Sequence, residues 1–451
     1  MGIDFLSKGA IMLVNICPKT TTEDRTMSNK KITVAVAGTG SRGVAYANAL
    51  KALNADCEIV AIADPRQDRL ENFAKRFDVK KEGWYSSAEE MLEKEKLADV
   101  LFLCTMDKQH YAHAMTALEK GYHLLLEKPI SPDAKECIEI AQKANEKNLK
   151  VLVCHVLRYT NFYRKIKEII DSGKLGRVLS VQANEQVCYW HQAHSFVRGN
   201  WRNEKESPMI LQKCCHDMDI LLWLTGKHCK SVSSFGTLSH FKKSEAPEGA
   251  TERCTEDCPE YTTCPYSVKH CYIDRAENGY FGWPINVVEA EQSMDKLCET
   301  LKTSPYGRCV YYCDNDVVDH QVVNLLFEDD VTVSFNFTAF TSEGGRKIHV
   351  MGTKGDLVAY MEDTEFTVTE YGKSPEKIVF KGVDDGFGHG GGDVGIMRDL
   401  IALLNGEMSD TSSLSTIDDS IESHLVCFAV DKSQKNNGML VTMDDYKNSI
   451  K

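Results

Sequence analysis

The pattern of apolar and polar positions changes character near residue 156. From Lys30 onward, short apolar runs rich in β-branched residues alternate with stretches of helical periodicity. Ile32–Ala37 reads as a buried strand, followed by a glycine turn and a helix over Ala45–Leu53. Glu58–Ala63, Val100–Cys104, His123–Leu126 and Val151–His155 read as further buried strands. Gln67–Phe77, Ala88–Glu95, His110–Lys120 and Lys135–Asn148 read as the intervening helices, with Ser86 and Glu89 forming a capping box ahead of the Ala88 helix. Continuous apolar strands between amphipathic helices predict a parallel sheet covered on both faces. Right-handed crossovers make it a doubly wound α/β domain over residues 30–155.

Beyond that point the rhythm is different. A helix over Phe162–Ser172 leads to a strand over Val178–Gln186 and a helix over Met209–Leu224. Longer strands with strict alternation follow at Asp319–Phe327, Val331–Thr338, Lys347–Met351 and Phe366–Glu370. Such alternation predicts an α+β second domain, residues 156–451, built on a large, mostly antiparallel sheet with one face packed and one wet. The open face is a candidate interface for a homodimer or homotetramer. Residues 239–315 are rich in Cys, Tyr and Pro and read as an insertion. At the other end, the apolar run Ala10–Cys17 is too short for a signal peptide and is not followed by a small-residue cleavage site. Residues 1–29 are expected to be an extension with little structure, since Met27 opens a natural start, MSNKKITVAVAG.

Composition narrows the partners. With 42% hydrophobic and 26% charged residues, a packed core is feasible. A net charge of −13 disfavours nucleic acid and anionic membranes, which need a positive surface. No run approaches the roughly 20 apolar residues of a membrane span. The 17 cysteines mostly stand alone in apolar patterns, as Cys104, Cys154 and Cys427 do. They read as buried hydrophobes of a reducing compartment, the cytoplasm.

The most informative short motif is Gly38-Thr39-Gly40-Ser41-Arg42-Gly43, a G-x-G-x-x-G that directly follows a strand and opens a helix. In that context Gly38 permits the turn, Gly40 lets a pyrophosphate approach the backbone, and Gly43 lets helix and sheet pack closely. The helix N-terminus offers unpaired N–H groups to phosphate. The domain is thus expected to be a Rossmann dinucleotide-binding fold. Asp64, ending the second strand, suits the ribose hydroxyls of NAD and would repel the 2′-phosphate of NADP, while Arg66 two residues on could receive one. Thr105, His110, Glu127 and Lys128 are expected to complete the cofactor crevice.

The stretches ITVAVAGTGSRG, ADP at 63–65, HYAHAMTALEKGYHLLLEKP at 110–129 and RYTNFYRKIKEIIDSGKLGRVLSV at 158–181 resemble the glucose–fructose oxidoreductase, inositol dehydrogenase and MocA family. HDMDILLWLTG at 216–226 and VMGTKGDL at 350–357 resemble its second domain. The resemblance implies an NAD(P)-dependent oxidoreductase of sugars, cyclitols or related polyols. Some relatives instead use bound NAD transiently to cleave glycosidic bonds. The most specific element is Glu127-Lys128-Pro129 at a strand end. A Lys there can donate to a reacting hydroxyl and stabilise alkoxide charge, and if desolvated it can share in proton transfer. The resemblance implies that Lys128 is the catalytic lysine, with Pro129 fixing the turn as a cis peptide.

His216 is the natural acceptor for a substrate hydroxyl proton. Gln212 and Lys213 precede it at helical spacing and Asp219 follows it, so all are candidates for substrate binding. The family often carries an Asp where Gln212 stands. The departure suggests that Gln212 binds hydroxyls and that Lys213 attracts a negative group on the substrate. For Asp219, as for Asp217, a structural role is the better expectation. Arg158, Tyr159, His194 and Trp201 are further candidates for the substrate cleft, with Arg198 and Arg202 beside them. His389-Gly390-Gly391-Gly392-Asp393 reads as a helix entry capped by Asp393, or else as a turn over the active site. Cys254, Cys258, Cys264 and Cys271 concentrate four thiols in the insertion. They read as free thiols, or as ligands of a structural zinc or iron–sulfur site despite irregular spacing.

Three functions remain open from sequence: a polyol or sugar dehydrogenase, an NAD-dependent glycosidase using the same first steps, and a non-catalytic NAD sensor.

Overall fold

A computed structural model describes residues 31–380, 389–408 and 410–450. The expected N-terminal extension lies outside these residues. Among the described residues, one sheet has six parallel strands in the order β3-β2-β1-β4-β5-β6. They are β1 (Ile32–Ala37), β2 (Cys57–Ala63), β3 (Trp84–Tyr85), β4 (Val100–Leu103), β5 (His123–Leu126) and β6 (Val151–Val153). Helices α1 (Ser41–Ala52), α2 (Gln67–Phe77), α3 (Ala88–Glu93), α4 (His110–Glu119) and α5 (Ala134–Glu146) alternate with them. The reason is visible in the side chains. Val100, Leu101, Phe102 and Leu103 are all buried, one pair on each face, so both faces need a helical layer. The order reverses between β1 and β4, and the crevice beyond their C-terminal ends is where such sheets bind ligands.

The second sheet has nine strands among the described residues, ordered β14-β13-β12-β11-β7-β10-β9-β8-β15. Its members are β7 (Val178–Gln186), β8 (Cys229–Thr237), β9 (His320–Phe327), β10 (Thr332–Thr338), β11 (Gly345–Gly352), β12 (Gly355–Tyr360), β13 (Glu365–Glu370), β14 (Glu376–Val379) and β15 (Val441–Thr442). Only β7 and β10 pair in parallel. Val333, Phe335 and Phe337 of β10 face the core, and the residues between them face solvent. Helix α6 (Asn161–Asp171) and the helices Cys215–Thr225 and Ile417–Lys435 line the packed face. The insertion has a core of its own, including Phe241, Tyr272, Leu297 and Tyr311.

Three local expectations are corrected. The Ala88 helix is capped by Ser87, whose side chain accepts from Glu90 N, while Glu90 reaches back to Ser86. The expected helix over Met209–Leu224 is broken into Met209–Gln212 and Cys215–Thr225. The break frees the Gln212 carbonyl from helical bonding. The helix Gly392–Leu404 is capped by Gly391, at φ 85°, and not by Asp393.

The chain's last third completes the first sheet. Val153 N donates to Ser415 O at 2.8 Å, and Ser415 Oγ donates to Val153 O at 2.6 Å. Ile130 N donates to His424 Nε2 at 2.9 Å, and His424 Nδ1 lies 2.8 Å from Ser420 O.

Candidate active site

The glycine turn has the features a dinucleotide requires. Gly38 sits at φ 92°, and a Cβ there would meet Cys104 O at 2.4 Å. A Cβ on Gly43 would meet Gly38 O at 2.2 Å. At Gly40 the nearest atom to such a Cβ is Arg69 Nη1 at 3.4 Å, so the backbone there stays open to a ligand. Helix α1 begins at Ser41 without a side-chain cap and with no acid in its first turn, which leaves its amides for an anion. Asp64 is buried and braces this turn: Oδ2 accepts from Thr39 N at 2.9 Å and Oγ1 at 3.1 Å, and Oδ1 accepts from Arg66 N at 2.9 Å. The residues therefore fit a bound NAD-type dinucleotide.

At the end of β5 the Lys128–Pro129 peptide is cis, as expected. Lys128 Nζ donates to the freed Gln212 carbonyl at 2.9 Å, which brings it to the segment that carries His216. His216 is 6% exposed, and its Nδ1 is enclosed with no hydrogen-bond partner among the described residues. Burial, then the charge of Lys128, hold its pKa well below the usual imidazole value. His155 packs edge-on, with ring centroids 5.6 Å from His216 and 5.5 Å from His424. The His389 ring lies 6.5 Å from His216, so the glycine-rich turn does border the site.

Several expected ligand contacts are engaged elsewhere. The Arg42 guanidinium ties α1 to Glu127 at 2.7 Å and Asp393 at 2.5 Å, and donates to the Tyr46 hydroxyl of the same helix at 2.7 Å. Glu127 is thereby a brace as well, and also accepts from Lys128 N at 3.0 Å. Both His110 nitrogens face carbonyls, Pro129 O at 2.8 Å and Thr105 O at 3.1 Å, so this ring pins the lysine turn. Thr105 Oγ1 lies 3.2 Å from His113 Nδ1. Arg66 forms an exposed pair with Asp68 at 2.6 Å.

The substrate candidates divide in the same way. Arg158 and Asp219 form a buried bidentate pair at 2.6 and 2.7 Å, and Tyr159 OH lies 2.9 Å from Ser415 Oγ. These three are core residues, because neither charge could be buried without the other. His194 is enclosed by Tyr272, 3.0 Å from its hydroxyl, and stacks on Tyr306. Lys213 does not stand as a free cation: its Nζ pairs with Glu185 at 3.1 Å, and Glu185 and Asp217 both pair with Arg346. Gln212 is buried beside Lys128, and Trp201 Nε1 points at Asp107 Oδ1 from 3.4 Å.

Sequence reasoning missed His155, His191, Asp107, Glu185 and Arg346. Burial, followed by the charge of Lys213, holds His191 well below the usual imidazole pKa, and Trp283 of the insertion packs against its ring at 4.8 Å. The only available signal was position: Asp107 and His155 closely follow strands of the parallel sheet.

The thiols of the insertion do not form a metal site. Among the described residues, no three His, Cys, Asp or Glu side chains converge as ligands. Arg198, fully buried, places its guanidinium 3.8 Å from Cys254 Sγ and 3.9 Å from Cys271 Sγ. A fixed cation thus lies beside two of the four thiols. Cys258 and Cys264 are half-buried.

Comparison with known proteins agrees with this geometry. A family model described as an oxidoreductase family with an NAD-binding Rossmann fold matches residues 32–155, and one for the family's C-terminal alpha/beta domain matches residues 167–382. YteT of Bacillus subtilis strain 168, described as an oxidoreductase, is 25% identical over 67% of this chain and 72% of its own length. Inositol 2-dehydrogenase 4 of Saccharopolyspora erythraea is 28% identical over 50% of this chain; the aligned part spans 62% of that relative. A crystal structure of an oxidoreductase from Agrobacterium radiobacter, in complex with NAD+, L-tartaric acid and magnesium, superposes with a TM-score of 0.66 at 12% identity. It covers 92% of this chain and 99% of that one. With both domain models matched in order along the two sheets, the chain belongs to the Gfo/Idh/MocA family of NAD(P)-dependent oxidoreductases.

Proposed function

We propose that this protein is an NAD-dependent dehydrogenase acting on a hydroxyl-bearing carbon of a sugar, cyclitol or related polyol. The observation that carries the reading is the hydrogen bond from Lys128, just past a strand end, to the Gln212 carbonyl, which ties the lysine turn to the segment that carries His216. NAD, when bound, supplies the hydride acceptor. Lys128 donates a hydrogen bond to the carbinol oxygen and stabilises the charge that develops on it. His216, kept neutral by burial and by that same ammonium, takes the hydroxyl proton through Nε2, since Nδ1 is enclosed. Gln212 and Trp201 border the substrate. Asp64 favours NAD, and Arg66 is paired with Asp68 instead of standing free for a 2′-phosphate.

A cyclitol or aldose substrate is supported by relatives named scyllo-inositol 2-dehydrogenase of Bacillus subtilis, 26% identical, and D-xylose dehydrogenase of Paenarthrobacter nicotinovorans, 27% identical. A homo-oligomer through the outer face of the nine-stranded sheet is supported by Leu179 and Val358, 38% and 52% exposed. A cytoplasmic site is supported by the free cysteines, and among the described residues no helix is long and apolar enough to cross a membrane.

The test is a panel of myo-inositol, scyllo-inositol, D-xylose and aryl glycosides, each with NAD and with NADP. Reduced nicotinamide and aglycone are read together. NADH from a polyol or sugar is expected. Aglycone release without net NADH would replace this reading with that of a glycosidase.

A further inference from the structure

The end of β4 carries a carboxylate that the reaction outlined above leaves unused. Asp107 lies four residues beyond Leu103, and Lys128 two beyond Leu126, on adjacent strands where Leu103 and Leu126 are partners. Asp107 is 6% exposed. Its Oδ1 has a long contact with Trp201 Nε1, and its Oδ2 is enclosed with no hydrogen-bond partner among the described residues. A buried acceptor left in this state is destabilising, and more so when it is charged. A purely structural carboxylate would be paired, as Asp219 and Glu127 are.

Lys128 has the complementary deficit. One of its N–H groups reaches the Gln212 carbonyl, which is neutral. Its sequence neighbour Glu127 is committed to Arg42 and Tyr46. Burial pushes the Asp107 carboxyl above its usual value, while His110 and Lys128 act in the opposite direction, and His110 is pinned between two carbonyls.

We propose that Asp107 is a positioning residue for Lys128: its carboxylate, at the end of the neighbouring strand, is the counter-charge that holds the Lys128 ammonium at the reacting hydroxyl. The role in turnover rests on the dehydrogenase reading; the pairing of the two residues does not.

The first test therefore needs no substrate. The full chain is treated with acetic anhydride at fixed pH, and acetylation of Lys128 is followed by peptide mass spectrometry. Removing the counter-charge in Asp107→Asn is expected to speed acetylation about tenfold, the equivalent of roughly 1.4 kcal/mol. Equal rates overturn the proposal. If Asp107→Asn does not fold, Asp107→Glu and Asp107→Gln, alike in bulk and different in charge, are compared in the same way. The second test is a double-mutant cycle with the panel substrate that the wild type turns over fastest. Asp107→Asn is expected to lower kcat about 10–100-fold, with KM and the Kd for NADH within about threefold. Combined with Lys128→Met, it is expected to add less than about threefold to the loss from Lys128→Met alone. Fully multiplicative losses, or a tenfold weaker Kd for NADH, overturn the proposal. A wild type inactive on the whole panel overturns the polyol reading, while the acetylation result still decides the pairing.

Discussion

The Lys128 ammonium donates to the main-chain carbonyl of Gln212, 84 residues away in sequence, across 2.9 Å. A break in the helix ahead of His216 makes this carbonyl available, and the contact brings a cation from one sheet to an imidazole carried by the other domain. Replacing Lys128 with Met is expected to lower kcat/KM by about 10²–10⁴-fold, the range of a lost proton-transfer or charge-stabilising group. The Kd for NADH, read from nicotinamide fluorescence, should change little. A large loss of NADH affinity with kcat intact would assign the lysine to the cofactor instead.

The Arg158–Asp219 pair is structural and should respond as a buried pair does. Arg158→Met leaves the Asp219 carboxylate enclosed and unpaired, and is expected to cost about 3–5 kcal/mol in urea unfolding. Adding Asp219→Leu removes the stranded charge and should recover most of that loss. If the single and double variants unfold alike, the pair is not acting as a unit.

Arg42 holds two buried carboxylates, and its effect should depend on pH. Burial alone would raise the pKa values of Glu127 and Asp393, but the charge of Arg42, helped by Lys128 at the first and His389 at the second, outweighs it and leaves both lowered. Lowered carboxylate pKa values contribute stability above their unfolded values near 4, and that contribution is lost as the pH falls through the folded values. Arg42→Met is therefore expected to cost about 3–5 kcal/mol at neutral pH. In guanidinium melts at pH 7 and pH 3.5, the gap from wild type should narrow at the lower pH. A gap independent of pH would mean that the arginine acts by packing.

Five imidazoles run the other way. Burial holds His155, His191 and His216 well below the usual value and brings His194 and His424 to about 3. The unfolded chain binds protons below about pH 6.5 that these folded imidazoles do not, so stability should fall on acidification from there toward the folded values. Each proton contributes a slope of about 1.4 kcal/mol per pH unit. His155→Phe removes one such group. Its unfolding free energy, compared between pH 6.5 and 5, should decline less steeply than the wild type's by about one proton's worth. An unchanged slope would mean that His155 is protonated in the fold.

Much of the architecture was legible because it is local. Ile32–Ala37, His123–Leu126, Gln67–Phe77 and Val178–Gln186 form where periodicity placed them, since burial on one face or two leaves its mark on consecutive residues. The break at Lys213 left no such mark. It coincides with a tertiary contact, the pair between the Lys213 ammonium and Glu185 on β7. Strand β12 went unread, and so did β15, a two-residue edge strand whose pairing with β8 is set by distant chain. In the site, Lys128 and His216 could be named from residue type, strand position and resemblance. Asp107, His155 and Arg346 could not, because the side chains they meet come from distant chain: Trp201 for the first, His216 for the second and Asp217 for the third. For the same reason Arg158 and Lys213 looked like ligands for substrate when each pairs with a buried carboxylate, Asp219 and Glu185 respectively.

His424 receives the amide of Ile130 from 294 positions along the chain, and Ser415 closes the edge of β6. The nucleotide-binding half is thus not a module that could be cut out at residue 155 with its lysine turn intact. A ribosome must add 294 residues after Ile130 before the acceptor of its amide exists, so the lysine turn is made early and can be finished only much later.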